Sequence, residues 1–299
     1  MLIFHSKDKF KFIRQIIIIL LLFAINLRPM IVKENEKVEE LVTEIDVLFV
    51  IDNTISMKAE DYNGSIPRMS AVKRDCSHII ASLPGARFSV VKFENKSMVM
   101  IPFTTDANKA IQCINTLSGI DKYNAKGSSM NVVKEDMKKQ LDRDSENEKM
   151  VVFFISDGEI TNEDKLESFS DCASKIDDGA VLGYGTETGG KMQIKQYDGT
   201  ITYLEDPTEY DSSYKHPVAL SKIDEKNLKK IASDMNIDYI HMEKQADIDA
   251  KLEDIKNNAS KKMKEKDEDT KTDLYYIFLV PLVIVIGYEI IDYKKKIVI

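Results

Sequence analysis

Two stretches of this chain are apolar at every position and then end on a polar cluster. Val47-Leu48-Phe49-Val50-Ile51 runs into Asp52-Asn53-Thr54-Ile55-Ser56-Met57, and Met150 to Ile155 runs into Ser156-Asp157-Gly158-Glu159. Uninterrupted runs of this length predict strands buried on both faces. Around them the period changes to three and four, which predicts helices. The first runs from near Pro67 to Leu83 through Met69, Val72, Cys76, Ile79 and Ile80, with Pro84-Gly85 as its stop. Others are expected from Ala107 to Leu117 behind a capping Asp106, from Met130 to Leu141, over Leu166 to Ile176, from Asp224 through Met235, and from Ile248 to Met263. Arg87 to Phe93 and Met98 to Phe103 flank a four-residue polar turn and read as a hairpin, while Ala180 to Tyr184 and Ile237 to His241 complete the strands.

This alternation predicts an α/β domain over residues 44–265, built on a doubly wound, mostly parallel sheet with helices on both faces. Ligands bind such sheets in the crevice outside the strand C-termini, where Asp52 and Asp157 both fall. Each Asp taken alone is equally well explained by an Asx turn or a helix cap. Regularity lapses over residues 186–221, with Gly189-Gly190, Asp198-Gly199 and several tyrosines. Because this insertion follows a strand C-terminus, it is expected on the same edge, either as a binding surface that uses its tyrosines or as a spacer. His216, beside Pro217, reads as structural.

The two ends carry a different pattern. Lys7, Lys9, Lys11 and Arg14 precede the apolar run Ile16 to Ala24, the order of a signal peptide or signal anchor. No small-x-small cleavage site follows, so residues 12–32 are expected to stay as a transmembrane anchor. Residues 274–292 are apolar but for Glu289 and Asp292, have Tyr275, Tyr276 and Tyr288 at interfacial positions, and lead into Lys294-Lys295-Lys296. The positive-inside rule then puts residues 1–11 and 293–299 in the cytoplasm. The result is a two-pass cell-membrane protein whose central domain is extracytoplasmic, joined by linkers at 33–43 and 266–273.

Composition narrows this further. The chain has 299 residues, 31% of them charged, and a formal net charge of -8, which disfavours phosphate-neutralising nucleic-acid binders. Cys76, Cys113 and Cys172 are an odd number on predicted apolar stripes, so buried free thiols are expected rather than a disulfide framework.

The polar strand ends carry the chemistry. Asp52, Thr54 and Ser56 form D-x-T-x-S, Asp157 lies in S-D-G-E, and Lys126-Gly127-Ser128-Ser129-Met130-Asn131 lies between them at a helix start. In this order and spacing the chain resembles the von Willebrand factor A domain. The metal-ion-dependent adhesion site of that family reads D-x-S-x-S, then a distant Thr or Ser, then Asp. Gly183 to Gly190 and Leu228 to Ala232 are similar to bacterial members, and the two-anchor layout is similar to aerotolerance-operon membrane proteins of this family.

The resemblance implies a metal site of Asp52, Thr54, Ser56, Ser128 and Asp157, with Ser129 as the alternative to Ser128. Met130 and Asn131 stand where small residues are commoner. A hard cation, Mg²⁺ or Mn²⁺, takes oxygen ligands. The resemblance implies that the hydroxyls touch it, that the two Asp act largely through water, and that a protein partner's acidic residue completes the shell. Ser56 to Asp61 also resembles a segment of integrin β subunits, implying a second Ca²⁺ near Glu60 and Asp61; a solvated acidic loop is the alternative.

The function expected is therefore metal-dependent protein binding or cell adhesion, without enzyme activity. A structural or assembly role in a membrane complex, with the metal only stabilising, is the alternative. A phosphohydrolase of the haloacid dehalogenase type is a third reading, because Asp52-Asn53-Thr54 resembles D-x-D-x-T. That chemistry needs a second carboxylate where Thr54 stands, and no later G-D-x-x-x-D appears.

Overall fold

The apolar run that ends at Asp52 forms the central strand of the sheet, β1 (Ile45–Asp52), and every one of its residues is buried. In this computed structural model the described residues are 6–33, 38–43, 45–125, 127–143, 149–162, 164–259, 261–266 and 270–297. Lys126, residues 34–37 of the expected linker, 144–148, 267–269 and both extreme termini lie outside them. The chain divides into two compact units, residues 41–263 and residues 1–40 with 264–299.

In the larger unit β1 is followed by α1 (Arg68–Ser82), β2 (Arg87–Phe93), β3 (Ser97–Thr104), α2 (Ala107–Asn115) and α3 (Lys134–Leu141). Then come β4 (Lys149–Ser156), β5 (Asp178–Gly183), α4 (Glu225–Met235), β6 (Asp238–His241) and α5 (Asp249–Asn258). The sheet order is β3-β2-β1-β4-β5-β6, with β3 antiparallel and all other neighbours parallel. The chain builds outward from β1 to β3, then returns to lay β4 on the other side of β1. Strand order therefore reverses between β1 and β4, and that reversal opens a crevice at their C-terminal ends. Ile51 pairs with Ile155 across this boundary, so Asp52 and Ser156-Asp157 leave the sheet side by side.

Successive side chains of a strand point to opposite faces, and β1 serves two cores accordingly. Val47, Phe49 and Ile51 pack with Ile79 and Ile80 of α1, Ile114 of α2 and Leu252 and Ile255 of α5. Leu48 and Val50 pack on the opposite face with Val133, Met137 of α3 and Leu228, Ile231 of α4. Asp106 and Asp224 cap α2 and α4 as expected, accepting from the Lys109 and Asn227 backbone N–H groups. Cys76, Cys113 and Cys172 are free thiols.

Two expected helices change. Over Leu166 to Ile176 only a 3-10 turn forms, Ser170–Lys175, although Phe169 and Cys172 are buried as the periodicity implied. The backbone there is held by side chains from elsewhere instead of by its own helical turn. Asn131 bonds to the Lys165 carbonyl and the Glu167 N–H, Asp234 accepts from the Phe169 N–H, and Lys230 donates to the Leu166 carbonyl. The last helix ends at Asn258 rather than Met263. Beyond it lies a strand, Lys261–Lys266, the expected linker contains another, Thr270–Asp273, and the N-terminal linker a third, Val38–Thr43.

In the smaller unit, Met30–Lys33 pairs antiparallel with Thr270–Asp273, which gives both segments hydrogen-bond partners that a free linker would leave to water. Helices Ser6–Asn26 and Tyr275–Ile297 pack on one another. Arg14 Nε lies 2.8 Å from Glu289, so the charge that interrupts the C-terminal apolar run has a partner. Tyr275–Lys294, with a mean hydropathy of 1.8, is long and apolar enough to cross a membrane, and it is the one such segment among the described residues.

Candidate functional site

Asp52 ends β1 with its carboxylate turned to hydroxyls. One oxygen accepts from the Thr54 N–H at 2.9 Å and the Thr54 hydroxyl at 2.6 Å, and the other accepts from the Ser156 hydroxyl at 2.6 Å. A 3-10 turn, Ile55–Lys58, then brings the Ser56 hydroxyl to 2.8 Å from that of Thr54. Asn53, between them, accepts from the Ser118 and Gly119 N–H groups and so fixes the neighbouring loop. The D-x-T-x-S spacing thus places two hydroxyls together in front of one carboxylate.

Ser128 and Ser129 face different surroundings. Ser128 lines the same cavity as Thr54 and Ser56, a space of about 560 Å³; its hydroxyl donates to the Glu159 carbonyl and lies 3.1 Å from that of Thr161. Ser129 instead caps the next turn, accepting from the Asn131 N–H, and lines a different cavity. Met130 is buried in the core and Asn131 holds the 165–167 backbone, which accounts for larger residues in this loop. On the cation reading proposed below, Ser128→Ala is expected to weaken Mg²⁺ binding by about 10-fold or more, the range for groups behind the ligands being its lower bound. Ser129→Ala is expected to leave binding unchanged and to lower stability by about 1 kcal/mol through loss of the cap. Isothermal titration and thermal melting of the two variants check this pair.

Residues not singled out by the sequence complete the picture. Glu159 and Thr161 line the cavity beside Ser128, two and four positions beyond Asp157. Arg68 is fully buried and ion-paired with both Asp157 and Asp61, at 2.8 and 2.7 Å. Only tertiary packing marks this arginine, which in sequence is one cation at a helix start. The opposite cavity wall belongs to the insertion, from Met192, Leu204 to Thr208 and Ala219 to Ser221. The insertion does share the site's edge. Its tyrosines, however, are absent from that wall: Tyr197, Tyr210 and Tyr214 are exposed, and Tyr203 donates to Glu60. His216 bonds to the Glu209 carbonyl and packs on Tyr210, a structural role.

A second cation near Glu60 and Asp61, expected from the sequence, would meet a carboxylate already engaged by protein donors. Both Asp61 oxygens are taken by the Arg68 guanidinium, and one also accepts from the Thr186 N–H and hydroxyl. Burial alone would raise the Asp61 pKa, but Arg68 outweighs it and holds the carboxyl below its ordinary value. A guanidinium already supplies the positive charge that a Ca²⁺ would bring.

Electrostatics separate Asp52 from its neighbours. Burial, and next the charge of Asp157, push the Asp52 carboxyl up to about 7 against the opposing hydrogen bonds. Burial and Asp157 likewise push Glu159 up to about 7. Asp157 has Arg68, whereas no cationic side chain pairs with Asp52 among the described residues. A buried carboxylate without a counter-charge is costly.

These residues fit a divalent cation. Adjacent oxygens of a Mg²⁺ octahedron with bonds of about 2.1 Å lie about 3.0 Å apart, and the Thr54 and Ser56 hydroxyls are 2.8 Å apart. No three His, Cys, Asp or Glu side chains group to hold a metal among the described residues, so any cation here would be met by hydroxyl oxygens backed by carboxylates. Such a set suits a hard cation and no softer one.

Comparison with known proteins bears on the fold that carries these residues. Residues 47–159 match the family model of the von Willebrand factor type A domain. No curated protein matches the chain in sequence. Among solved structures, the conserved hypothetical protein BatB from Bacteroides thetaiotaomicron is 20% identical with a TM-score of 0.56, over 72% of this chain and 100% of that one. An aerotolerance-related membrane protein from Bacteroides fragilis, crystallised with multiple mutations to serines, is 19% identical with a TM-score of 0.52, over 70% of this chain and 99% of that one. At such identities the likeness is one of fold.

Proposed function

We propose that this chain, which carries a von Willebrand factor type A domain, is a membrane-anchored module that binds a protein partner through one divalent cation. The observation that carries the reading is the adjacency of the Thr54 and Ser56 hydroxyls, with Asp52 behind them lacking a counter-charge, at the mouth of a cavity. Thr54, Ser56 and Ser128 would hold Mg²⁺ or Mn²⁺, with Asp52 and Asp157 behind. The bound ion supplies a Lewis-acidic position that a carboxylate from outside can complete, since neutral hydroxyls leave its charge underneutralised.

The chain's own residues do the rest. Asp52 orients the Thr54 and Ser156 hydroxyls, Ser128 ties the middle loop to the Glu159 carbonyl, and the insertion walls the cavity with Leu204, Pro207, Ala219 and Leu220. A partner residue would enter between the hydroxyls and this wall, which also carries Glu205 and Asp206. Nothing in the donor set provides the second carboxylate two residues after Asp52 that phosphoryl transfer of the dehalogenase type requires, which supports a non-enzymatic reading. The apolar Tyr275–Lys294 helix and the Lys-rich ends support a membrane anchor with the domain outside the cytoplasm.

The test is capture of partners by the full chain in detergent, compared in Mg²⁺ and in EDTA and against Asp52→Ala. Partners held by wild-type protein in Mg²⁺ are expected to be released by EDTA and absent from the variant. Equal capture in all three conditions would favour the assembly role in which a metal is only stabilising.

A further inference from the structure

The arginine paired with Asp61 has an arrangement of its own. Arg68 is 0% exposed, and its guanidinium is shared among four residues, Asp61, Asp157, Ser221 and, through its carbonyl at 3.4 Å, Ser56. Nε and one terminal nitrogen bond to Asp61 at 2.8 and 2.7 Å, and the other terminal nitrogen bonds to Asp157 and to the Ser221 hydroxyl, both at 2.8 Å. The Ser221 carbonyl accepts at 2.9 Å. Gly185 is required beside it, because a Cβ there would lie 2.7 Å from the guanidinium carbon.

The connections reach three parts of the site. Asp157 directly follows β4, and Asp61 follows the 3-10 turn that carries Ser56. Thr186 and Ser221 are the two roots of the insertion, the first bonded to Asp61 and the second to Arg68. Ser221 also donates to Glu159 at 2.7 Å in the cavity wall. Burying an arginine is costly unless carboxylates pair with it, and conversely its removal would leave Asp61 and Asp157 buried side by side without a cation. Bidentate pairing with Asp61 uses the planar fork, which a lysine cannot reproduce.

We propose that Arg68 is a positioning residue and the fixed second positive charge of the cation site. Held between Asp61 and Asp157, it limits the chain to one divalent ion and locks Asp157 to both roots of the insertion. This rests on the cation reading above. It goes beyond that reading by assigning the number of ions, and the residue that sets it.

The experiment is isothermal titration of the full chain in detergent with Mg²⁺ and with Ca²⁺, for wild type, Arg68→Gln and the double variant Asp61→Asn, Arg68→Gln. Wild type is expected to bind one ion. Arg68→Gln is expected to bind two Ca²⁺, the second replacing the lost charge, and its melting temperature to rise with Ca²⁺ far more than that of wild type. If Arg68→Gln is unfolded in EDTA, millimolar Ca²⁺ is expected to restore its cooperative melting transition. The double variant removes a carboxylate with the arginine and is expected to fold without Ca²⁺ and to bind one ion.

Arg68→Gln with a single site like wild type, or still unfolded in millimolar Ca²⁺, overturns the proposal. So does a double variant that takes up two ions. A wild-type chain that binds no divalent ion ends the cation reading itself, and this proposal with it, which distinguishes the two failures.

Discussion

Asp52→Ala is expected to lower the affinity of the full chain for Mg²⁺ about 100-fold, the upper end for loss of a group that acts behind the metal's direct ligands. Its carboxylate accepts from Thr54 through one oxygen and Ser156 through the other, so its removal frees the hydroxyls that should face the ion. The cost of burying this charge without a cationic partner is offset by its hydrogen bonds from Thr54 and Ser156, so the net contribution to stability is small. The melting temperature in EDTA is therefore expected to stay close to wild type while the Mg²⁺-induced rise disappears. Asp46 is the control, being equally buried but held by Arg87 at 2.6 Å. Asp46→Ala is expected to destabilise the domain and leave Mg²⁺ binding to the folded fraction unchanged. Titration calorimetry and melting curves decide the matter, and wild-type Mg²⁺ affinity in Asp52→Ala would remove Asp52 from the site.

Phe49→Ala is expected to cost about 3–5 kcal/mol, the range for truncating a buried aromatic whose surroundings relax only in part. Phe49 lies at the middle of β1 with no exposure, and its ring stacks on Phe88 of β2 and Phe153 of β4 at centroid separations of 6.3 and 5.8 Å. These three strands carry the site between them, so the cavity left by the ring weakens the sheet where Asp52 and Asp157 leave it. Met98, on the edge strand β3 and 55% exposed, supplies the contrast. Met98→Ala is expected to change stability by about 0.5 kcal/mol or less. Urea midpoints followed by tertiary-structure signals measure both, and a loss under about 1 kcal/mol in Phe49→Ala would contradict the packing described.

Much of the architecture was legible because burial on two faces leaves a simple mark. Val47 to Ile51 and Met150 to Ile155 lack polar positions since helices cover both sides of the sheet, and each run stops where the sheet meets the crevice. The caps Asp106 and Asp224 were legible for a local reason, since a cap bonds to its own first turn. Where a segment's partners were distant, the pattern misled. Leu166 to Ile176 has helical spacing, but Asn131, Lys230 and Asp234 take its backbone groups. Glu60 and Asp61 read as a solvated or ion-binding acidic pair, and no local pattern showed that Asp61 pairs with Arg68.

By itself, then, the amino-acid order determined an alternating α/β chain, two buried strands ending in Asp52 and Asp157, and hydroxyls at Thr54 and Ser56 spaced to stand together. Those are properties of short windows, where periodicity and spacing act directly. Tertiary structure alone decided that Ser128 rather than Ser129 shares the cavity, that the insertion builds its far wall without its tyrosines, and that Arg68 serves Asp61 and Asp157 at once. Each depends on which groups meet across gaps of tens of residues, and no local pattern records where a buried charge finds its partner.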